Sequence, residues 1–244
     1  MIVGLDHIGV AVGELDAAVD AYTRFLGVSP RMAEGDGKGR RARFELANTA
    51  LLLFQQDGAD DALWSLALRV DDEAETRRIL ERRGLTGGSG PFLDTAATAG
   101  LRIALVEHAS APPGPPASDG VEALDHVVVR TANPDRAVAL WGARFDLDFR
   151  LDRSNPAWGS RLLFFRCGGA VIEVGAALEA PVTDAPDTLS GLAWRVRDPA
   201  AAHARIAAAG FDVSEVRKGR KPGTAVFTLR SGLPAAPALV IGGS

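Results

Sequence analysis

The chain has 244 residues, of which 47% are hydrophobic, so it can bury the core of one large domain or of two ordinary ones. A formal net charge of -4 gives no electrostatic reason to expect a nucleic-acid partner, and no apolar run is long enough to cross a membrane. The single cysteine, Cys167, excludes an internal disulfide framework and favours a reducing compartment, so we expect a cytoplasmic protein.

The chain repeats its own pattern. The segment LDHIGVAV at residues 5–12 has a counterpart in LDHVVVRT at residues 124–131, and the following residues match in register. A finer repeat relates LALRVD at 66–71 to LAWRVR at 192–197, and each of these precedes a helical stretch that ends at a glycine. The sequence therefore predicts four modules, which start near residues 4, 64, 123 and 190.

Hydrophobic periodicity defines the elements of the first half. In chain order they are a strand over 5–12, a helix over 15–26, strands over about 41–47 and 50–56, a strand over 65–70, a helix from Asp71 or Asp72 to about Arg83, and a strand over 101–107. A glycine loop is expected around residues 35–39. Gly27 and Gly84 are expected to end the two helices.

A proline-rich stretch separates the two halves. Residues 109–120 contain four prolines among small and polar residues, which is typical of a surface linker. We therefore expect an N-terminal domain over residues 1–110, a linker over 111–121 and a C-terminal domain over 122–244. The predicted elements of the second half are a strand over 124–131, a helix capped by Asn133 and Pro134, strands over 161–167 and 170–175, a helix from Asp198 to Ala209, and strands near 224–229 and 237–242.

The strands that open the modules have two different faces. On the first strand, bulky apolar residues alternate with a set that contains a histidine: Ile8, Val10 and Val12 against His7, Gly9 and Ala11. Four strand–helix–strand–strand units in pairs predict an α+β fold whose sheets curl into cups. Helices should cover the bulky faces, and the histidines, small residues and arginines should line the cups.

These motifs resemble the vicinal oxygen chelate superfamily, which includes glyoxalase I, methylmalonyl-CoA epimerase, extradiol dioxygenases and the bleomycin-resistance proteins. Residues 5–12 and 15–18 are similar to the opening of the epimerase branch, and NPAWGS at 155–160 with VIEV at 171–174 is similar to the glyoxalase-like branch. The resemblance covers nearly the whole chain. It implies four βαβββ modules that form two tandem domains with cupped mixed or antiparallel sheets.

The resemblance also implies metal sites built from two modules, each with one ligand on its first strand and one on its last. The first-strand positions are His7, Ser65, His126 and Gly191, and the last-strand positions are Leu53, Ala104 (or Glu107), Glu173 and Ala238. A divalent metal such as Zn, Mn, Fe or Ni needs about three protein ligands in a catalytic site. No pairing of the modules, one with two or one with four, supplies three, so the ligand set is incomplete.

His126 and Glu173 are the predicted catalytic pair. Both should point into the same cup, with Glu173 as base or metal ligand and His126 as its partner or as a second ligand. The alternative is a structural His–Glu hydrogen bond. His7 has no carboxylate at Leu53, so we expect a structural role for it in a cup that looks apolar, with Phe44, Leu46 and Leu51 on nearby strands.

Four further residues are predicted to contact a substrate. Arg130 and Arg195 lie four residues beyond the first-strand positions, so their side chains should point inward, and Arg195 is the preferred contact for a substrate anion. Trp158 and Phe164 are expected to flank the cup and shield a substrate. The alternatives are solvated charges at the rim for the arginines and core packing for the aromatic residues.

These residues favour a small-molecule enzyme that transfers a proton next to a carbonyl group, as an isomerase or a lyase, with its site in the C-terminal domain. Extradiol dioxygenase activity is less favoured. The competing hypotheses are a metal-free protein of the bleomycin-resistance type that binds a drug or hydrophobic ligand, and a structural protein with no small ligand. The expected partner is a small molecule, with no nucleic acid and no membrane, and the chain is expected to be a monomer or a homodimer.

Overall fold

The computed structural model describes residues 1–35, 39–58, 60–107, 120–235 and 237–243, with the backbone alone at residues 34 and 35. Most of the predicted linker, residues 111–119, lies outside the described residues, as does Gly37 of the predicted glycine loop. No helix in the part of the chain that the structure describes is long and apolar enough to cross a membrane.

The elements follow the predicted order. Those of the first half are β1 Ile2–Val12, α1 Leu15–Leu26, β2 Arg31–Gly35, β3 Gly39–Glu45, β4 Ala50–Gln55, β5 Ala62–Val70, α2 Glu73–Arg82 and β6 Ile103–Val106. Those of the second half are β7 Val121–Arg130, α3 Pro134–Ala137, which continues as a π-helix over Val138–Arg144, β8 Asp148–Asn155, a 3₁₀ turn over Pro156–Trp158, β9 Ser160–Cys167, β10 Ala170–Ala177, β11 Thr188–Val196, α4 Pro199–Ala208, β12 Asp212–Val213, β13 Arg217–Lys218, β14 Thr224–Ser231 and β15 Ala238–Gly243.

Four strands, β2, β8, β12 and β13, are not among the predicted elements, and β12 and β13 have only two residues each. β2 and β8 both lie at an edge of their sheet. The side chains of β8 are exposed except at Asn155, and Arg31, Met32 and Ala33 of β2 are exposed as well. Neither strand therefore buries the alternate side chains from which the period of a strand is recognised.

The strands form two mixed sheets, in agreement with the predicted α+β class. One has six strands in the order β2-β3-β4-β1-β5-β6. The other has nine, of which eight follow the order β12-β14-β15-β11-β7-β10-β9-β8, and the ninth, β13, pairs with β14. The opening strands β1 and β7 pair in parallel with β4 and β10. The hairpins β3–β4 and β9–β10 are antiparallel.

The chain divides into two compact units. Unit one consists of Met1–Asp6, Ser65–Ser110 and His126–Ser190, and unit two consists of His7–Trp64, Ala111–Asp125 and Gly191–Ser244. Each unit thus combines segments from both halves of the repeat, and its boundaries along the chain fall within β1, β5, β7 and β11. The two domains that the internal repeat predicts, over residues 1–110 and 122–244, remain a prediction.

One face of each sheet segment is covered by a helix, as the alternation predicted. In unit two, Ile8, Val10 and Val12 are buried, and Tyr22 of α1 packs against Phe44 of β3 with ring centroids 6.3 Å apart. In unit one, the corresponding side chains of β7, β9 and β10 are buried on the side of the helical segment 134–144. The opposite face, which carries His7 in unit two and His126 in unit one, keeps partial access to solvent.

Side-chain caps fix where the helices begin. Asn133 accepts a hydrogen bond from the backbone N–H of Arg136, with Pro134 in the first turn, and Asp198 accepts from the backbone N–H groups of Ala200 and Ala201. Asp72, rather than Asp71, caps α2. Gly27 ends α1 with a φ of 74°, in the left-handed region that favours glycine.

An ion pair between Arg136 and Asp187 connects α3 with the irregular segment that precedes β11. The guanidinium of Arg136 donates to Asp187 Oδ1 at 2.7 Å and to the carbonyl of Ala185 at 2.6 Å. The side chain of Asp187 is fully buried, and its backbone N–H donates to the carbonyl of Ala99. The carboxylate therefore depends on Arg136 for its neutralising charge.

We expect Arg136→Ala to lower the free energy of unfolding by about 3–5 kcal/mol, because it leaves a buried carboxylate without a counter-charge. Urea denaturation followed by circular dichroism measures the change. The matched control is Arg150→Ala, whose ion pair with Asp148 is more than half exposed on both sides and should change the stability by less than about 1 kcal/mol. Equal effects of the two substitutions would contradict the assigned role of the buried pair.

Candidate functional site

The parallel pair of β7 and β10 brings His126 and Glu173 together in unit one. His126 lies opposite Val171, and Glu173 follows Val171 by two residues. Side chains two residues apart on a strand project from the same face, so the imidazole and the carboxylate share one face of the sheet. Their neighbours Val127 and Ile172 project from the other face and are buried.

The two side chains contact each other on the open face. His126 Nε2 lies 3.4 Å from Glu173 Oε2, and the side chains are 16% and 18% exposed. The contact is an ion pair when the imidazole is protonated. A carboxylate held by an imidazole at a partly solvated position can accept a proton from a small molecule, which is the chemistry of a general base.

Apolar side chains lie on both sides of Glu173 on this face. Phe164 of β9 lies directly opposite Glu173 and is half-buried, and Val128 of β7 is its neighbour on the other side. The predicted position of Phe164 in the strand facing Glu173 is therefore what the structure shows. The next position outward, on β8, is Leu151, which is 47% exposed. A ligand above Glu173 would contact apolar side chains on both sides.

Trp158 lies on the 3₁₀ turn that precedes β9. Its side chain is 46% exposed, so it is not part of a packed core. The guanidinium carbon of Arg153 is 5.9 Å from the centroid of its ring, a cation–π contact. The structure thus leaves Trp158 accessible in unit one.

The two predicted anion contacts differ in their surroundings. Arg130 ends β7 in unit one and is exposed, with Gly175 opposite it on β10. Arg195 lies in unit two, where its Nε is 3.6 Å from Asp125 Oδ2 and its NH2 group donates to the carbonyl of Leu124 at 3.2 Å. The guanidinium of Arg195 therefore already has a carboxylate partner.

Register corrects two of the predicted ligand positions. Because His7 lies opposite Ala50, the residue equivalent to Glu173 is Leu52, whereas Leu53 pairs with Val10 on the helix-covered face. By the same argument Leu239 replaces Ala238 on β15, because Ala238 pairs with Leu192, whose side chain is buried. The position of Ala104 agrees with the register of β5 and β6. All of these residues lack a metal-ligating side chain.

The donor set does not fit a catalytic metal. Within residues 1–35, 39–58, 60–107, 120–235 and 237–243, no three His, Cys, Asp or Glu side chains converge as metal ligands would. His126 and Glu173 supply two donors, one fewer than a catalytic zinc or iron site takes from its protein.

The first cup is not apolar, contrary to the sequence-based expectation. Phe44 and Leu51 pair with each other on the face covered by α1, and Leu46 is buried as well. The face that carries His7 instead displays Arg41, Arg43 and Glu45. The alternation RARFE over residues 41–45, which places charged and apolar side chains on opposite faces, was the signal in the sequence that could have revealed this.

Comparison with known proteins agrees with this geometry. Residues 125–227 match the family described as the Glyoxalase/Bleomycin resistance protein/Dioxygenase superfamily. This part of the chain carries the sequence pattern of that superfamily. The predicted resemblance to the vicinal oxygen chelate proteins is therefore confirmed, and His126, Trp158, Phe164, Glu173 and Arg195 all lie within the matched residues. No curated protein sequence matches the chain.

Solved structures share the fold over the whole chain. A variant of 4-hydroxymandelate synthase from Streptomyces coelicolor is 17% identical with a TM-score of 0.74, and covers 100% of this chain and 94% of its own. The 2,2',3-trihydroxybiphenyl 1,2-dioxygenase of Sphingomonas wittichii strain RW1 is 16% identical with a TM-score of 0.69, covering 100% and 92%. A halotolerant catechol dioxygenase is 16% identical with a TM-score of 0.67, covering 100% and 88%. These similarities show the tandem fold and leave the reaction open.

The thiol of Cys167 is not part of the site. It ends β9 beside the hairpin turn, is 1% exposed, and burial raises its pKa to about 12 against the opposing charge of Arg69. Since the thiolate is the reactive form, the native thiol should be inert.

We expect no reaction of Cys167 with a disulfide reagent at mildly alkaline pH in the native protein and stoichiometric reaction after unfolding in urea. Labelling of the native protein at the rate of the unfolded chain would show that Cys167 is accessible.

Proposed function

We propose that the protein is a small-molecule enzyme of the glyoxalase/dioxygenase superfamily that transfers a proton next to a carbonyl group. The observation that carries this proposal is the 3.4 Å contact between His126 Nε2 and Glu173 Oε2 on an accessible sheet face. A base in a partly apolar surround meets little competition from water, which favours proton abstraction from carbon.

The proposed reaction uses Glu173 as the base. Its carboxylate takes the proton from the carbon next to the carbonyl, and the electron pair of that C–H bond forms the double bond of an enolate whose negative charge rests on the former carbonyl oxygen. Return of the proton from Glu173 to the same carbon or to a neighbouring one gives an isomer, whereas loss of a neighbouring leaving group gives a lyase reaction. His126 orients the carboxylate through the contact at Oε2.

A metal is not required by this scheme, and the donor set argues for a metal-free site. If Zn, Mn, Fe or Ni were bound, His126 and Glu173 would be its protein ligands, with no third His, Cys, Asp or Glu converging among the described residues. The fold shared with dioxygenases does not imply that this chain catalyses their reaction. By the resemblance, an extradiol dioxygenase needs an iron triad, and two donors do not complete one.

The remaining predicted contacts complete the proposed site. Phe164 would pack against the substrate beside Glu173, and Trp158 would cover it from the turn before β9. Arg130, which is exposed at the end of β7, would bind a substrate anion. Arg195 lies in unit two, where Asp125 holds its guanidinium, so it is left out of the site proposed at Glu173. We place the protein in the cytoplasm as a monomer or homodimer as part of the same proposal.

A binding protein of the bleomycin-resistance type is the second candidate. It is favoured by one observation: the positions equivalent to Glu173 in the other modules carry apolar side chains, Leu52, Ala104 and Leu239. On this hypothesis the protein holds a hydrophobic ligand without converting it, and His126 and Glu173 contact each other only to support the sheet.

Solvent-exchange measurements test the proposal directly. In deuterium oxide, we expect the protein to exchange the α-proton of at least one member of a panel of 2-oxo acids, ketones and aldehydes, as followed by proton NMR. Glu173→Gln should lower the exchange rate by about 100-fold or more, because it removes the base and keeps the shape. Glu179→Gln, at an exposed glutamate just beyond β10, is the matched control and should leave the rate unchanged.

Two outcomes would overturn the proposal. Exchange that survives in Glu173→Gln would remove the base from the mechanism. A lack of exchange across the panel, together with apolar ligands that raise the melting temperature, would instead support the binding protein. Elemental analysis of the purified protein for Zn, Mn, Fe and Ni distinguishes the metal-dependent version, in which stoichiometric metal is present and is lost in Glu173→Gln.

A further inference from the structure

The open face of β1, β4 and β3 in unit two forms three rows of side chains. Strand pairing aligns them as His7, Ala50 and Glu45 in the first row, Gly9, Leu52 and Arg43 in the second, and Ala11, Phe54 and Arg41 in the third. Three of these residues are small: Ala50 in the middle of the first row, and Gly9 and Ala11 on β1 in the second and third rows. On the face opposite α1 the wider side chains therefore stand around small residues that are themselves buried, with Ala50 and Ala11 0% and 2% exposed.

The charges on this face are not balanced. Arg43 Nε donates to Glu45 Oε1 at 2.8 Å, and the two side chains are 23% and 14% exposed. This pair uses the carboxylate that lies on the same face of β3. Arg41, two residues before Arg43, has a buried Nε that finds no hydrogen-bond acceptor among the residues that the structure describes. A buried donor without an acceptor is rare. The Arg41 side chain as a whole keeps partial access to solvent, so a ligand would meet the guanidinium at its two terminal nitrogens rather than at the buried Nε.

Two aromatic rings contact each other at Phe54, the position next to Arg41 on the adjacent strand. Phe54 is the direct cross-strand neighbour of Arg41, and Trp64 of β5 meets the Phe54 ring edge-on, with centroids 5.3 Å apart and an angle of 80° between the planes. Both aromatic side chains are only partly buried. They form an apolar wall that remains accessible next to the unsatisfied cation.

We infer that this face of unit two is a second ligand site, and that its ligand is a small aromatic carboxylate. A flat ring packs against Phe54 and Trp64, and the attached carboxylate receives hydrogen bonds from the guanidinium of Arg41, which matches a carboxylate in charge and in its forked geometry. A neutral ring would leave Arg41 unsatisfied, and an aliphatic anion would leave the aromatic wall uncovered.

The inference is independent of the proton-transfer chemistry proposed for Glu173. The His126 face presents a carboxylate on its last strand and an aromatic ring on the adjacent one, whereas the His7 face presents Leu52 and Arg43 at those two positions. One face therefore offers a base, and the other offers cations and aromatic rings to an anion.

Calorimetric titration of the full chain with benzoate tests the inference, with benzamide as the uncharged analogue of the same shape. We expect benzoate to bind with a Kd of about 1 mM or tighter, as befits a ligand of so few atoms, and benzamide to bind at least about tenfold more weakly. Arg41→Gln should weaken benzoate about tenfold and abolish the preference over benzamide. Phe54→Leu should weaken both ligands and keep the preference for the anion.

Two control substitutions are used: one on β3 next to Arg41, and one at Glu173 in the other candidate site. Arg40→Gln changes the adjacent arginine, which points to the opposite face and pairs with Asp16, and should leave benzoate binding unchanged. Glu173→Gln should leave it unchanged as well. Equal affinity for benzoate and benzamide, full binding by Arg41→Gln, or loss of binding in Glu173→Gln would each overturn the inference. Circular dichroism melting confirms that each variant is folded, and Phe54→Leu provides the test if Arg41→Gln is not.

Discussion

The alternation of side chains along paired strands is the constraint on which the rest of this structure depends. A strand has two faces, and pairing in register makes each face continuous across its neighbours. In both units the helix-covered face takes the bulky apolar residues, such as Val10 and Val127, which are fully buried. Polar side chains are then confined to the other face. A shift of one residue between β7 and β10 would place Glu173 in the core and separate it from His126.

The same fold carries two different sets of side chains. His7 and His126 occupy equivalent positions on parallel-paired opening strands, but their surroundings have diverged. Beside His126 the carboxylate is on the last strand and contacts the imidazole, whereas in the other unit the carboxylate is Glu45 on the middle strand and pairs with Arg43. Repetition of the fold therefore preserved the location of each open face and not its chemistry, as is common for widely used folds.

The number of donors decides which reactions the His126 face can support. Two donors on adjacent strands are enough for acid–base chemistry, in which one group moves the proton and the other orients it. A catalytic metal needs more, because ligands must fix the ion and still leave positions for substrate. The fold is shared with dioxygenases over the whole chain, whereas among the described residues no third His, Cys, Asp or Glu joins His126 and Glu173.

The sequence by itself determined the α+β class, the order of the main elements and the helix caps, because local periodicity and an internal repeat encode these features. The expectation that His126 and Glu173 share one cup came from the resemblance to a known family. The sequence did not reveal β2 and β8, whose side chains are mostly exposed and carry no hydrophobic period, and the two-residue strands β12 and β13, which are too short to show one. Only the tertiary structure decided that Leu52 rather than Leu53 is equivalent to Glu173, that Arg41 stands beside Phe54, and that Arg195 is held by Asp125. The reason is physical: register between strands and the partner of a long charged side chain depend on residues distant in the chain, and a change of one residue in register reverses the face.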